Sequence, residues 1–510
     1  MAHNIRIYRS GELICETVGM PDDTLLKCIS AAGVFLDAPC GGKGHCGKCL
    51  VRLSPDGEKV LACRTPIDGD MDVYLPDEVE MKIADKGRSV DPILLHKTTL
   101  SAKLGVAVDI GTTTVVAHLT DLSTGLRIAT ASGVNAQRQY GADVISRIQY
   151  CAENGHETLT SLVREQLASL IRHTCTISSE RTRDIEYISI AANTIMQHLA
   201  AGYSPVGMGV SPFTPVSLFG EELPAWKGLP AAKNAKVYFA PAISSYVGGD
   251  ITAGMLAAGL EDASGPTVYL DIGTNGEIVM KSGDTYYCCA TAAGPAFEGA
   301  EISMGMAAVT GAVNHVKWED GLIVSVIGGK DPQGLCGSGL LDTLAVLLET
   351  GAVDETGRLL DPDEIDHDIK QHIDKIEGKN VFRLVRGGSG VYMSAVDIRK
   401  LQLAKSAIAA GIQTLLHHAG IAEDQVTSFI LAGGFGSFMD HFSAARIGLF
   451  PKSFVPVAQT LGNTAGEGAV LALHSDTARR ALDDIRERCE YIELSTNLKF
   501  NEQFVEQMMF

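Results

Sequence analysis

Gly105-Val-Ala-Val-Asp-Ile-Gly-Thr-Thr-Thr-Val115 reads as an apolar strand ending in Asp109, a Gly-Thr turn, and the start of a second β-rich strand. The pattern returns once, at Val268-Tyr-Leu-Asp-Ile-Gly-Thr-Asn-Gly-Glu-Ile278. A continuous apolar run bounded by turn residues suits a strand buried on both faces. One Asp-x-Gly is an ordinary β-turn; two copies, each behind an apolar strand, predict two related hairpins. Such a turn presents small residues and N–H groups to a phosphate, as a nest does. Gly111, Thr112, Thr113 and Thr114 form the first turn, and Gly273, Thr274 and Asn275 the second. Asp109 and Asp271 fall at the strand ends, where one or two carboxylates plus phosphate oxygens hold Mg²⁺. Two such hairpins facing each other would grip a triphosphate from two lobes, which makes ATP and Mg²⁺ the expected ligands.

Further along, Phe429-Ile-Leu-Ala-Gly-Gly-Phe-Gly-Ser-Phe438 is a buried-type strand followed by a glycine-rich turn. Gly433, Gly434 and Gly436 would let the backbone approach a nucleoside. Alone, this fits any strand-to-helix turn.

The N-terminal region carries different chemistry. Cys40, Cys46, Cys49 and Cys63 are spaced C-x5-C-x2-C-x13-C, close to the plant-type run that folds around a [2Fe–2S] cluster. Such a cluster needs four thiolates converging on two irons, three of them from one tight loop. Gly41, Gly42, Gly44 and Gly47 permit that loop. Strand-like segments flank it at 5–8, 50–53 and 59–62, with Pro55-Asp56-Gly57 as the turn between the last two. A zinc knuckle would use two C-x-x-C pairs, and only Cys46–Cys49 is present. The remaining cysteines are scattered and read as small core residues. Cys336, in Gly334-Leu-Cys-Gly-Ser-Gly339, is the exception: its backbone is placed to approach a ligand.

Composition bounds the rest. A chain of 510 residues predicts two or three domains. A net charge of −19 argues against nucleic acid and against an anionic membrane surface. No secretory leader opens the sequence and no apolar run is long enough to span a bilayer. Twelve cysteines without a signal peptide fit a reducing cytoplasm. The expected division is a ferredoxin-type unit over 1–78, a charged linker over 79–103, a first lobe over 104–248 and a second lobe over 249–510.

In this order, the hairpins and the glycine-rich turn resemble the superfamily of acetate and sugar kinases, heat-shock ATPases and actin. The resemblance implies that the helix beginning Asp397-Ile-Arg-Lys-Leu-Gln-Leu-Ala-Lys borders the purine, with Lys405 as a contact; the plain alternative for Lys405 is a solvated helix charge. It also implies that Gly462-Asn-Thr-Ala-Gly-Glu-Gly-Ala starts a helix closing the fold. Asp250, in Tyr246-Val-Gly-Gly-Asp-Ile-Thr-Ala-Gly254, matches the aspartate that activates the attacking hydroxyl in the sugar kinases. Here it would orient a water for hydrolysis, or serve as a helix cap. Glu277 and Glu298 are secondary candidates.

The whole chain resembles the reductive activators of corrinoid proteins. Asn135-Ala-Gln-Arg-Gln-Tyr-Gly-Ala-Asp-Val-Ile-Ser-Arg147, Gly294-Pro-Ala-Phe-Glu-Gly299 and Cys336-Gly-Ser-Gly-Leu-Leu-Asp342 join the motifs above. The implied fold is multidomain: an N-terminal α+β ferredoxin-like (β-grasp) domain, a linker, then an α/β two-lobed ATPase of the actin-like superfamily with ribonuclease H-like lobes. The implied activity is ATP-dependent reduction of a corrinoid protein from Co(II) to Co(I) by the cluster. The implied partners are that corrinoid protein, an electron donor, and a second copy in a homodimer. A small-molecule kinase with a regulatory ferredoxin domain is the alternative. Activators of radical acyl-CoA dehydratases share the ATPase fold, but they carry a [4Fe–4S] cluster between subunits and lack the N-terminal cysteine run.

Overall fold

The computed structural model describes residues 2–21, 23–38, 40–44, 47–76, 104–299, 301–385 and 390–510. The expected linker over 79–103 and the ligand Cys46 lie outside the described residues.

The N-terminal domain is a five-stranded mixed sheet with one helix across it. His3–Arg9 pairs antiparallel with Glu12–Gly19 and parallel with Met71–Tyr74. Leu50–Arg52 joins through Arg52 opposite Tyr74, and Lys59–Leu61 pairs beside it. The turn between those last two strands closes by Gly57 N–H donating to Ser54 O at 3.1 Å, where Pro55-Asp56-Gly57 predicts it. Thr24 caps the helix Leu25–Ala31, whose Leu25, Leu26 and Ile29 pack on Ile5, Ile7 and Val73. This is the β-grasp arrangement.

The two hairpins open two sheets of the same plan. In the first lobe, Leu104–Ile110 pairs antiparallel with Thr114–Asp121, and that strand with Arg127–Val134. On its other side it runs parallel to Ile185–Ala192, then Lys236–Phe239. In the second lobe, Thr267–Ile272 pairs antiparallel with Gly276–Ser282, followed by Thr285–Thr291. Its other neighbour is the parallel strand Ser428–Ala432, then Ala458–Gly462. The ribonuclease H-like order is thus present twice. Each central strand is buried along its length except at one position, and that position is Asp109 in one and Asp271 in the other. Between Thr291 and Ser428 the second lobe carries two small three-stranded sheets and the helices Gly337–Glu349 and Ala395–Ala419.

Two helices cross between the lobes. Gly249–Ala257 lays Ile251 and Met255 on the second sheet, against Tyr269 and Val279. Thr464–His474 lays Ala465, Ala469 and Leu473 on the first, against Ala107, Ala191 and Tyr238. The helix expected from Gly462-Asn-Thr-Ala-Gly-Glu-Gly is therefore present, but it covers the first lobe although it belongs to the C-terminal half of the chain. The helices touch closely: a Cβ on Gly468 would lie 2.1 Å from Ala253 O, so only glycine fits this crossing.

Candidate functional site

The two turns are built alike and buttressed differently. Gly111 N–H donates to Thr114 O at 2.8 Å, and Gly273 N–H to Asn275 O at 2.9 Å. Behind the first turn, Asn135 donates from its backbone to Thr113 O and from Nδ2 to Gly111 O, both at 2.8 Å. Arg147, fully buried, donates to Thr112 O, Gly141 O and Gln137 Oε1. Burial without an anionic partner in those bonds pushes Arg147 down to about 9. The block Asn135–Arg147 thus has a physical account. Asn135 and Asp143 cap local helices, while Asn135 and Arg147 hold the carbonyls of the first turn so that its opposite edge faces the cleft.

Both turns, the three aspartates, Gly433 and Gly434 line one cleft between the lobes. Asp250 is not the cap of its helix. Gly248 is the N-cap, and Asp250, in the first turn, accepts the neighbouring Ile251 N–H at 2.9 Å and lines the cleft. Asp109 Oδ2 accepts from Asn463 Nδ2 at 2.9 Å, and Asp271 Oδ2 is 3.4 Å from Tyr269 Oη. Burial raises all three, Asp109 to about 7, Asp271 to about 6 and Asp250 to about 8, with Asp271 and Asp109 adding to the rise at Asp250. Glu277, opposite Asp271 in the hairpin register, is also raised by burial, then by Asp250 and Asp271. Five carboxylates, Asp109, Asp250, Asp271, Glu277 and Glu298, line one cleft, and Arg138 is the one arginine or lysine among the described residues lining it.

Oxygen donors of this kind suit a hard cation such as Mg²⁺. Among the described residues no group of three His, Cys, Asp or Glu side chains is arranged to hold a metal ion unaided.

Another part of the cleft wall, next to Asp271, is made of glycine and phenylalanine. Gly433 has φ +85° and follows the strand Ser428–Ala432; a Cβ there would lie 2.4 Å from Asp271 Oδ1. Phe297 and Phe435 stack with ring centroids 5.3 Å apart. The helix Gly337–Glu349 begins at Cys336, and Cys336, Gly337 and Ser338 line the cleft. Its N-terminal N–H groups and dipole favour an anion there. Cys336 Sγ donates to Val313 O at 3.4 Å. Arg138, Asn193 and Asn463 are cleft residues that the sequence reading does not single out. Arg138 and Asn463 sit inside motifs quoted above, but nothing local marks them.

Lys405 does not join this set, and its expected purine contact is corrected. The helix Ala395–Ala419 is present, yet none of its residues lines the cleft. Lys405 is buried, donates to Met509 O, and lies 5.0 Å from the Phe510 ring centroid. Burial lowers it to about 8. It ties down the C-terminal segment, and it is not a solvated helix charge either.

In the N-terminal domain, Gly41, Gly42, Gly44 and Gly47 all take positive φ, as the tight cysteine loop requires. A Cβ on Gly44 would lie 2.5 Å from Arg64 Nε, so a side chain there would have to displace the guanidinium. Ala62 N–H donates to Cys49 O at 2.8 Å, which brings the buried Cys63 alongside the buried Cys49. A Cβ on Gly42 would lie 3.3 Å from Leu26 Cδ2 and 3.9 Å from Cys63 Cβ. Cys40 sits half-buried at the loop's start. Cys49 and Cys63 are therefore neighbours, and the glycine-rich loop that Cys40 opens lies against Cys63.

This loop rests on the ATPase body. Asp37 pairs with Arg138 Nε at 3.4 Å, and Lys48 donates to Gly305 O at 2.8 Å. Gly41 faces the Tyr140 carbonyl. Arg138 and Met306, next to Gly305, line the cleft.

Comparison with known proteins places this architecture. Residues 104–263 match the RACo middle region, and 265–510 match the C-terminal domain of RACo, the ASKHA domain. The corrinoid activation enzyme RamQ of Eubacterium limosum is 32% identical over 589 aligned positions, spanning 98% of each chain. The chain belongs to the reductive activators of corrinoid proteins. A "[Co(II) methylated amine-specific corrinoid protein] reductase" of Methanosarcina barkeri is 24% identical to this activator, over 78% of this chain and 75% of the other. The solved structure of a reductive activator for corrinoid, iron–sulfur protein superposes with a TM-score of 0.72 at 29% identity. It covers 100% of this activator and 98% of that chain. The family and the two-lobed actin-like ATPase fold agree with the sequence resemblance.

Proposed function

We propose that this activator uses ATP to drive one electron from a [2Fe–2S] cluster onto the cobalt of a corrinoid protein, converting Co(II) to Co(I). The observation that carries the reading is one chain joining a four-cysteine glycine loop to an acidic two-lobed cleft, with Asp37 and Lys48 seating the loop beside that cleft. Cys40, Cys46, Cys49 and Cys63 are the proposed ligands. When bound, the cluster supplies a one-electron carrier, and Mg²⁺ neutralises charge on the nucleotide.

The chain's own groups have distinct tasks. Thr112, Thr113, Thr114, Thr274 and Asn275 bind phosphate oxygens, on turns that the N–H groups of Gly111 and Gly273 close. Asp109 and Asp271 face the metal or its waters. Asp250 accepts a proton from, and orients, the attacking water. Gly433 and Gly434 give the nucleoside room, and the N-terminus of Gly337–Glu349 adds dipole stabilisation.

Coupling is needed because Co(I) lies uphill of an ordinary [2Fe–2S] donor. Each tenfold in a one-electron equilibrium corresponds to about 59 mV. ATP can shift that balance only by binding one lobe arrangement better than another. The partners are a corrinoid protein and a separate electron donor, and the expected assembly is a homodimer. No described helix is long and apolar enough to cross a membrane, and the reducing cytoplasm suits the cysteine content.

The test is anaerobic. Cobalamin absorbance of a Co(II) corrinoid protein is followed with reduced activator, with and without Mg²⁺-ATP. Reduction that requires ATP, and ATPase activity stimulated by the Co(II) protein, are expected. Full-rate reduction without ATP overturns the proposal.

A further inference from the structure

Thr113 and Thr274 belong to different lobes, yet their hydroxyls are 3.1 Å apart. Glu298, at the end of the short turn Pro295–Glu298, joins them. Thr113 Oγ1 donates to its carboxylate, 2.9 Å from Oε2 and 3.2 Å from Oε1. Thr274 Oγ1 donates to Oε2 at 3.1 Å. Each hydroxyl has one proton to give. With both protons directed at the carboxylate, the two oxygens are neighbours because they share an acceptor. A side-chain anion therefore clasps the two turns together, and Glu298 lines the cleft.

These hydroxyls are the donors that the nucleotide reading assigns to phosphate, and the inference rests on that reading. A carboxylate and a phosphate oxygen compete for the same two protons, and like charges a few ångströms apart repel. We propose that Glu298 is a built-in occupant of the terminal-phosphate subsite. It holds the lobes together while that subsite lacks an anion, and the γ-phosphate of ATP takes Thr113 and Thr274 and expels it. ADP has no γ-phosphate and leaves the clasp in place. Glu298 is a positioning residue here: it acts through the two threonines and sets how strongly the cleft distinguishes triphosphate from diphosphate.

Titration calorimetry of the full chain with Mg²⁺ tests this, using AMPPNP and ADP on the wild type, Glu298→Gln and Glu298→Ala. Removing one competing charge is expected to tighten AMPPNP about tenfold in both variants and to leave ADP within about twofold. A folding defect would weaken both nucleotides, so the gain separates this role from a merely structural one. AMPPNP affinity that is unchanged or weaker in both variants overturns the inference while the ATP reading stands. A wild type that binds neither nucleotide overturns both.

Discussion

The cysteine loop and the nucleotide cleft solve opposite problems. The loop is glycine with positive φ, and its order comes from backbone geometry and a small core behind it. A cluster would provide its own strong bonds, so the protein need only avoid obstructing it. The cleft brings its groups to their places beforehand, fixing each turn with buried side chains such as Asn135, Arg147 and Asn463. It pays in electrostatics, holding carboxylates together at raised pKa. One site waits for its ligand to organise it; the other is organised and waits to be neutralised.

The largest effect that would sharpen this contrast is in the loop. Cys49→Ser or Cys63→Ser should abolish the cluster's visible absorbance and lower corrinoid reduction at least about a hundredfold, while AMPPNP binding stays within about twofold. In the cleft, Asp250→Asn should slow ATP hydrolysis by about 10²–10⁴-fold, the range for losing a positioned proton acceptor. Nucleotide affinity should hold within about twofold, because Asn keeps the side chain's size and Asp250, raised to about 8, carries little charge near neutral pH. Steady-state rates and calorimetry separate the two effects.

Acidity gives a subtler break. Asp109, Asp271 and Asp250 titrate near 7, 6 and 8 when folded, against 3.8 as the ordinary value. The folded protein holds these protons longer than the unfolded chain, so this contribution to stability is full below about pH 4 and lost as pH rises toward about 8. In metal-free buffer, Asp250→Asn should therefore gain thermal stability over the wild type between pH 5 and 8. A Tm difference independent of pH would contradict the crowded-carboxylate account. The smallest effect concerns the seam between the regions. Asp37→Ala with Lys48→Ala should cost no more than about 1 kcal/mol, as partly exposed polar pairs do, yet make the bond after the exposed Lys43, in the cysteine loop, cleave faster in limited trypsin digestion.

Much of this was legible in the sequence. The hairpins were readable because a strand buried on both faces leaves an unbroken apolar run, interrupted only by Asp109 or Asp271. The loop was readable because four cysteines and four glycines leave few other meanings. Lys405 was not: its pattern on an amphipathic helix is the same whether it faces purine, water or the buried backbone of Met509. Arg138, Asn193 and Asn463 were invisible because they reach the cleft from distant strands and turns, and single polar residues carry no period. The lobe assignment of Thr464–His474 was hidden for the same reason, since Gly468 against Ala253 is a contact across more than two hundred residues of chain.

That contact has a mechanical consequence. Gly249–Ala257 is anchored to one lobe and Thr464–His474 to the other, and they meet where no side chain separates them. The pair forms a fulcrum. Asp250 rides at the head of one arm, and Asn463, which grips Asp109, at the head of the other. Any scissoring of the jaws must alter the spacing between Asp250 and Asp109, so opening the molecule also pulls its cleft carboxylates apart.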